Sequence, residues 1–110
     1  MTETPARRWE DMRTDETRSI EKALLDAGLQ TVDAYRYNSA SIRIRVIDPK
    51  FEGLPPEKRD AMVEPYLDRL PANTQADIVS LFTFAPSELE QTSRQSLLNR
   101  EFDDPSPSVL

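Results

Sequence analysis

The sequence predicts an α+β fold: a three-stranded mixed sheet with helices packed on one of its faces. Three observations predict it. Ser41 to Ile47 alternates apolar Ile42, Ile44 and Val46 with polar Ser41, Arg43 and Arg45, the two-residue period of a half-buried strand. Ile20, Ala23, Leu24 and Ala27 recur at spacings of three and four, the period of an amphipathic helix. A further apolar run, Ile78 to Phe84, follows a long helical segment. A strand, a long helix and another strand normally form a right-handed crossover between parallel strands.

The first helix is predicted from Asp15 to Ala27. Thr14 or Asp15 can cap it, and Asp15, Glu16 and Glu21 lie toward its positive end. Gly28 stops it, because glycine tolerates the left-handed turn that ends many helices. A hairpin follows. Thr31 to Tyr37 is its first strand, Asn38-Ser39-Ala40 its turn and Ser41 to Ile47 its second strand, with one face buried and one wet. Asp48-Pro49 ends that strand, and Phe51 to Leu54 is a loop.

Pro55 and Pro56 open the next helix, where proline is tolerated in the first turn. It is expected to reach Leu70 and stop at Pro71, with Met62, Val63, Tyr66, Leu67 and Leu70 as its apolar arc. Pro65 should bend or break it, since it removes one backbone bond and crowds the preceding turn. A short turn, Asn73 to Asp77, leads to the third strand, Ile78 to Phe84. That strand is apolar on both faces, which places it within the sheet and largely covered. The last helix is expected to begin at Ser87, with Ser87 and Glu90 as a capping box, and Phe102 is expected to pin its end. The element order is α-β-β-α-(short α)-β-α.

Composition bounds the rest. The chain has 110 residues, enough for one domain. The expected division is a flexible arm over residues 1–14, a single domain over 15–102 and a disordered acidic tail over 103–110. Trp9 stands out on the arm, either capping an edge of the core or anchoring a partner. The N-terminus lacks the apolar core of a signal peptide and no stretch suits a bilayer, so the expected location is cytoplasmic. Cysteine and histidine are both absent, which excludes disulfides, thiol catalysis and imidazole ligands on this chain. The net charge of -6 disfavours generic binding to nucleic acid or anionic membrane. Residues 31–50 depart from it, with four basic and two acidic groups.

The order of elements and certain residues resemble the BolA-like family, whose fold is related to the type II KH domain. The resemblance spans Ile20 to Leu89 and rests on several segments in order. These are the strand Ser41 to Ile47, the junction Phe51-Glu52-Gly53, Arg59, the pair Val63 and Leu67, and the strand Asp77 to Thr83 leading into Pro86-Ser87-Glu88-Leu89. The family usually carries an Arg-His-Arg triplet after its Phe-x-Gly turn. Its histidine is a ligand of an iron–sulfur cluster shared with a monothiol glutaredoxin. Here the matching residues are Arg59-Asp60-Ala61, and the hairpin turn offers neither cysteine nor histidine. A carboxylate suits a soft iron–sulfur centre poorly. The resemblance therefore implies the fold without cluster sharing, and no cofactor or metal is expected.

Three constellations are candidates for function. Arg36, Arg43, Arg45 and Lys50 form a basic hairpin with Tyr35 and Tyr37 close by, which would suit nucleic acid or another anion, or serve simply as a solvated face. Glu57, Asp60, Glu64 and Asp68 fall within about 80° of one helical arc. That stripe could receive a basic partner or loosely hold a cation. Arg59 lies on the apolar arc, where it should bury its stem and pair its head, fixing the Phe51–Gly53 loop or bordering a partner surface. Catalysis has little support, since no serine sits in a nucleophile motif. The expected function is a non-enzymatic protein-interaction domain. Its binding residues would be Arg59, Asp60 and Tyr66, with Phe51 and Leu54 holding the loop. The alternative is a nucleic-acid-binding regulator using the basic hairpin.

Overall fold

The computed structural model describes residues 8–90 and 94–106. A 3-10 turn over Trp9–Met12 precedes helix α1, Asp15–Asp26. Thr14 caps α1 reciprocally: its side chain accepts from the Thr17 amide, and its own amide donates to the Thr17 hydroxyl. The far end closes on Gly28, at φ 100°. There the Leu29 amide donates to the Leu24 carbonyl at 3.3 Å and the Gly28 amide to Leu25 at 3.0 Å. These are the paired bonds of a Schellman ending, and Leu24 and Leu29 are both buried in one cluster.

Strands β1 (Thr31–Asn38) and β2 (Ser41–Ile47) pair antiparallel, and β2 pairs parallel with β3 (Ile78–Phe84). The mixed α+β sheet expected from the sequence is present, in the order β1-β2-β3. The third strand departs from expectation in being less covered than its apolar run suggests. It lies at the edge of the sheet, β2 takes the centre, and Val79 is 59% exposed.

Helix α2 spans Pro56–Leu67, α3 Ala72–Asp77 and α4 Arg94–Asp103. The α2 helix continues two residues past Pro65 and then tightens, with Leu70 donating to the Leu67 carbonyl at 3.0 Å. It stops short of the expected Leu70 because the missing proline N–H weakens its last turn. Ser87 does not open the last helix. Pro86–Glu90 is a 3-10 turn, and the Ser87 hydroxyl donates to Glu52 instead of capping.

The expectation of helices on one face also needs correction, because both faces of the sheet are covered. On the first face, Ile20 and Leu24 of α1 and Val63 and Leu67 of α2 pack on Val32, Ala34, Ile42, Ile44 and Val46. Thr74 of α3 ties in by donating to Glu16 at 2.7 Å. On the second face, Trp9, Met12, Tyr35 and Phe102 form a separate cluster flanked by Tyr37 and Phe82. Part of the expected arm is therefore core, and Asp103 belongs to α4. Residues 1–7 and 107–110 of the expected arm and tail lie outside the described residues.

This second layer changes the expected wet face of β2. Asp33 faces Arg45 across the β1–β2 ladder, and Tyr35 faces Arg43. The Arg45 side chain is only 8% exposed. Its Nε and Nη2 donate to Asp33 Oδ2 at 3.1 and 2.7 Å, and its Nη1 donates to Asn99 and Asp103 on α4. Its guanidinium also lies 4.3 Å from the Phe102 ring centroid. An arginine so placed satisfies its charge and donors while presenting a flat apolar surface to the aromatic layer.

Candidate functional site

A groove of about 560 Å³ runs along the edge of the sheet. Its floor is the outer border of β3, from Val79 to Phe84. One wall is the start of α2, with Pro56, Arg59 and Asp60; the other is the start of α4, with Arg94, Gln95 and Leu98. The fold dictates this layout. The helix α2 lies on the first face of the sheet and α4 on the second, so β3 emerges between them.

Arg59 forms the base of the α2 wall. It is 5% exposed, and its Nε donates to the Leu54 carbonyl at 2.8 Å. Nη1 donates to the Thr83 carbonyl at 3.1 Å and to Glu88 Oε1 at 2.6 Å, while Nη2 reaches Glu88 Oε2 at 2.9 Å. The pair is bidentate, the geometry that planar guanidinium and carboxylate favour. Glu88 Oε1 also accepts from the Ala85 amide at 2.8 Å. The Arg59 bonds hold the Glu88 carboxyl below the usual carboxylate range, against the opposing effect of its burial, and the Ala85 amide adds to them. Arg59 thus joins α2, the loop before it, the end of β3 and the following 3-10 turn. Phe51 is fully buried beneath, its ring centroid 5.9 Å from the guanidinium. The anchoring role considered for Phe51, Leu54 and Arg59 matches this geometry.

Asp60 stands next to Arg59 on the same wall and is half-buried. Burial raises its pKa, and the neighbouring Glu64 and Glu57 raise it further. None of Glu57, Asp60 and Glu64 has a cation at ion-pair distance among the described residues. Of the acidic stripe, Asp60 alone lines the groove, with no cation at ion-pair distance among the described residues. No three of the described carboxylates converge to hold a metal ion. Tyr66, also expected at the site, is not in the groove lining; it packs against the first-face core, with Arg69 5.6 Å from its ring centroid.

The basic hairpin residues are not brought together. Arg43 and Arg45 lie on the second face, and Arg43 sits 3.4 Å from Glu101 and 3.8 Å from the Tyr37 ring centroid. Arg36 points to the first face, where it pairs with Glu16 at 2.8 Å and Asp77 at 2.7 Å. Lys50 lies past the end of β2 and donates to the Gly28 carbonyl at 3.0 Å. Each of the four therefore has a carboxylate or carbonyl partner.

Asp48 is a residue whose role the sequence reading missed. It is 2% exposed. One carboxylate oxygen accepts from the Gln30 amide at 3.0 Å and the other from the Lys50 amide at 2.8 Å. Its own amide donates to the Phe84 carbonyl at 3.0 Å. Aspartate before proline reads as a turn residue; only the fold brings the β1 entry and the β3 exit to it. Comparison with known proteins finds no matching family model, no matching curated protein and no matching solved structure.

Proposed function

We propose that the protein is a small non-enzymatic interaction domain that docks a partner protein in the groove over β3. The observation that carries this reading is a sheet edge that pairs with no further strand among the described residues, its Thr83 carbonyl taken by Arg59, lying as the floor of a groove with two helical walls. Edge strands offer backbone donors and acceptors to another chain and are usually blunted or covered. Here exposed Val79 lies on the border and exposed Leu98 on one wall. Large ordered areas of the molecule, by contrast, are tied up internally by arginine–carboxylate pairs. The BolA-like resemblance supports the same reading, since Arg59 and Asp60 correspond to the border of that family's partner surface. Asp60 in place of the family's histidine supports a partnership without a shared iron–sulfur cluster. No helix among the described residues is long and apolar enough to cross a membrane.

The test uses a photo-crosslinking residue placed at Val79, and separately at exposed Leu25 on α1, in the native cell. The expected result is one polypeptide crosslinked from position 79 and not from position 25. Its affinity for the purified protein should fall in a Leu98→Glu variant. Equal crosslinking from both positions, or undiminished affinity in that variant, refutes the groove as the docking site. Nuclease-sensitive material in its place would favour nucleic acid.

A further inference from the structure

The two walls of the groove differ chemically, and the difference specifies an occupant. The α2 wall carries half-buried Asp60, with Glu57 and Glu64 as like-charged neighbours on the helix, while the cation that lines this wall, Arg59, is paired with Glu88. The α4 wall presents Leu98, 41% exposed, and Arg94 near the helix start. A chain laid along β3 would be extended, and its side chains would alternate between the two faces of the sheet. One alternate set would therefore meet α2 and the other α4.

We propose that the occupant is an extended segment of a partner protein that joins β3 as a fourth strand, with lysine or arginine toward Asp60 and apolar residues toward Leu98. This rests on the interaction-domain reading and adds the mode and chemistry of binding. Backbone pairing along the edge would supply affinity that is independent of sequence. The wall chemistry would supply selectivity. The raised pKa of Asp60 agrees with a cationic partner, because a nearby cation would offset the repulsion from Glu64 and Glu57 and favour the charged form. A second copy of this chain fits less well. Antiparallel pairing of two β3 edges about a two-fold axis would put both α2 helices on the same sheet face. It would set Glu57, Asp60 and Glu64 against their own copies on chains of net charge -6.

The test is fluorescence-anisotropy binding of four blocked nine-residue peptides to the full chain. One alternates lysine with valine, one alternates glutamate with valine, and two are the lysine peptide with alternate backbone amides N-methylated, one in each phase. The lysine peptide should bind at least about tenfold more tightly than the glutamate peptide. One methylation phase should abolish binding and the other should spare it. Asp60→Lys should reverse the charge preference, and Asp60→Asn should remove it.

Equal binding of lysine and glutamate peptides overturns the proposed partner chemistry. Indifference to both methylation phases overturns strand addition. Failure of all peptides, with a partner still crosslinked at position 79, overturns this inference and leaves the interaction domain standing; failure of both removes the two together. A concentration-dependent dimer that Val79→Lys dissociates would place a second copy in the groove and overturn the proposal.

Discussion

Arg59 and Glu88 meet through both guanidinium Nη atoms and both carboxylate oxygens, at 2.6 and 2.9 Å, and so fasten α2 to the turn that follows β3. The loop from β3 toward α4 departs at this point, so the pair holds the two walls of the groove in relation to each other. Removing either partner leaves the other charge poorly compensated. Arg59→Met or Glu88→Gln should each lower stability by roughly 3 kcal/mol, the low end for a broken buried pair because Glu88 still reaches solvent. Urea denaturation at neutral pH measures it. Since the Glu88 pKa is lowered in the folded state, the stabilisation is fully present above the usual carboxylate range. It should be lost as pH falls through the lowered folded value. The gap between wild type and Glu88→Gln should close in acid, and a gap that persists there would contradict the assignment.

Asp60 has the opposite sign. Its folded pKa lies above the ordinary value, so ionising it opposes folding, and that cost is fully present at neutral pH. Asp60→Asn should therefore stabilise the protein, by about 0.3 kcal/mol for each like-charged neighbour relieved. The gain should vanish well below the carboxylate range, where Asp60 is protonated in both states. Thermal melts across pH would reveal it, and a destabilised Asp60→Asn at pH 7 would show that the carboxylate has a favourable partner.

Asp48 is predicted to matter more than its position beside a proline suggests. Asp48→Ala leaves the Gln30 and Lys50 amides without the buried carboxylate that serves them. The expected loss is about 2 kcal/mol, from two lost hydrogen bonds to a charged acceptor whose donors lie near solvent. Amide exchange should accelerate first at Gln30 and Lys50, and uniform acceleration across the fold would contradict a local role.

Trp9 should behave as a core residue. It lies 5.5 Å from the Phe102 ring and 6.2 Å from Tyr35, with the Arg13 guanidinium 4.5 Å away. Trp9→Ala should cost about 3 kcal/mol, as large-to-small changes in packed aromatic sites do. The native protein should show blue-shifted tryptophan emission. Emission at the wavelength of free tryptophan, with stability unchanged in the variant, would return Trp9 to a solvent-exposed arm.

The first-face half of the fold was legible because its signals are local. The alternation of β2, the spacing of α1 and Gly28 each carry a period or a stop that needs no distant partner. The second face was not legible, because Arg43 and Arg45 read as polar positions and therefore as wet. Their burial depends on Asp33, opposite Arg45 in the ladder, and on Asn99 and Asp103 of α4, which no short window contains. One sequence sign did point there. The run Ile78 to Phe84 is apolar on both faces, and the structure reads it as Leu81 facing one cluster and Phe82 the other. The same sign overstated how far the strand is covered, since an edge strand can carry apolar residues on both faces and still leave Val79 exposed. At the groove, Arg59 and Asp60 were legible as an arginine on an apolar arc and an acid on a charged one. The α4 wall was not, because Leu98 belongs to a weakly patterned helix whose place across the sheet is set by Phe102.

The tilted contact of Trp9 with Phe102 bears on the order in which the protein is made. The α1-side core draws on residues from Ile20 to Ala85, so it can close while the C-terminal helix is still within the ribosome. The aromatic layer cannot, since its first ring is synthesised early and its last late. Until α4 emerges, Trp9, Tyr35 and Phe82 lack their common neighbour, and one side of a finished sheet faces solvent. Folding during synthesis would thus proceed in two stages, and the emergence of α4 would seal the second layer.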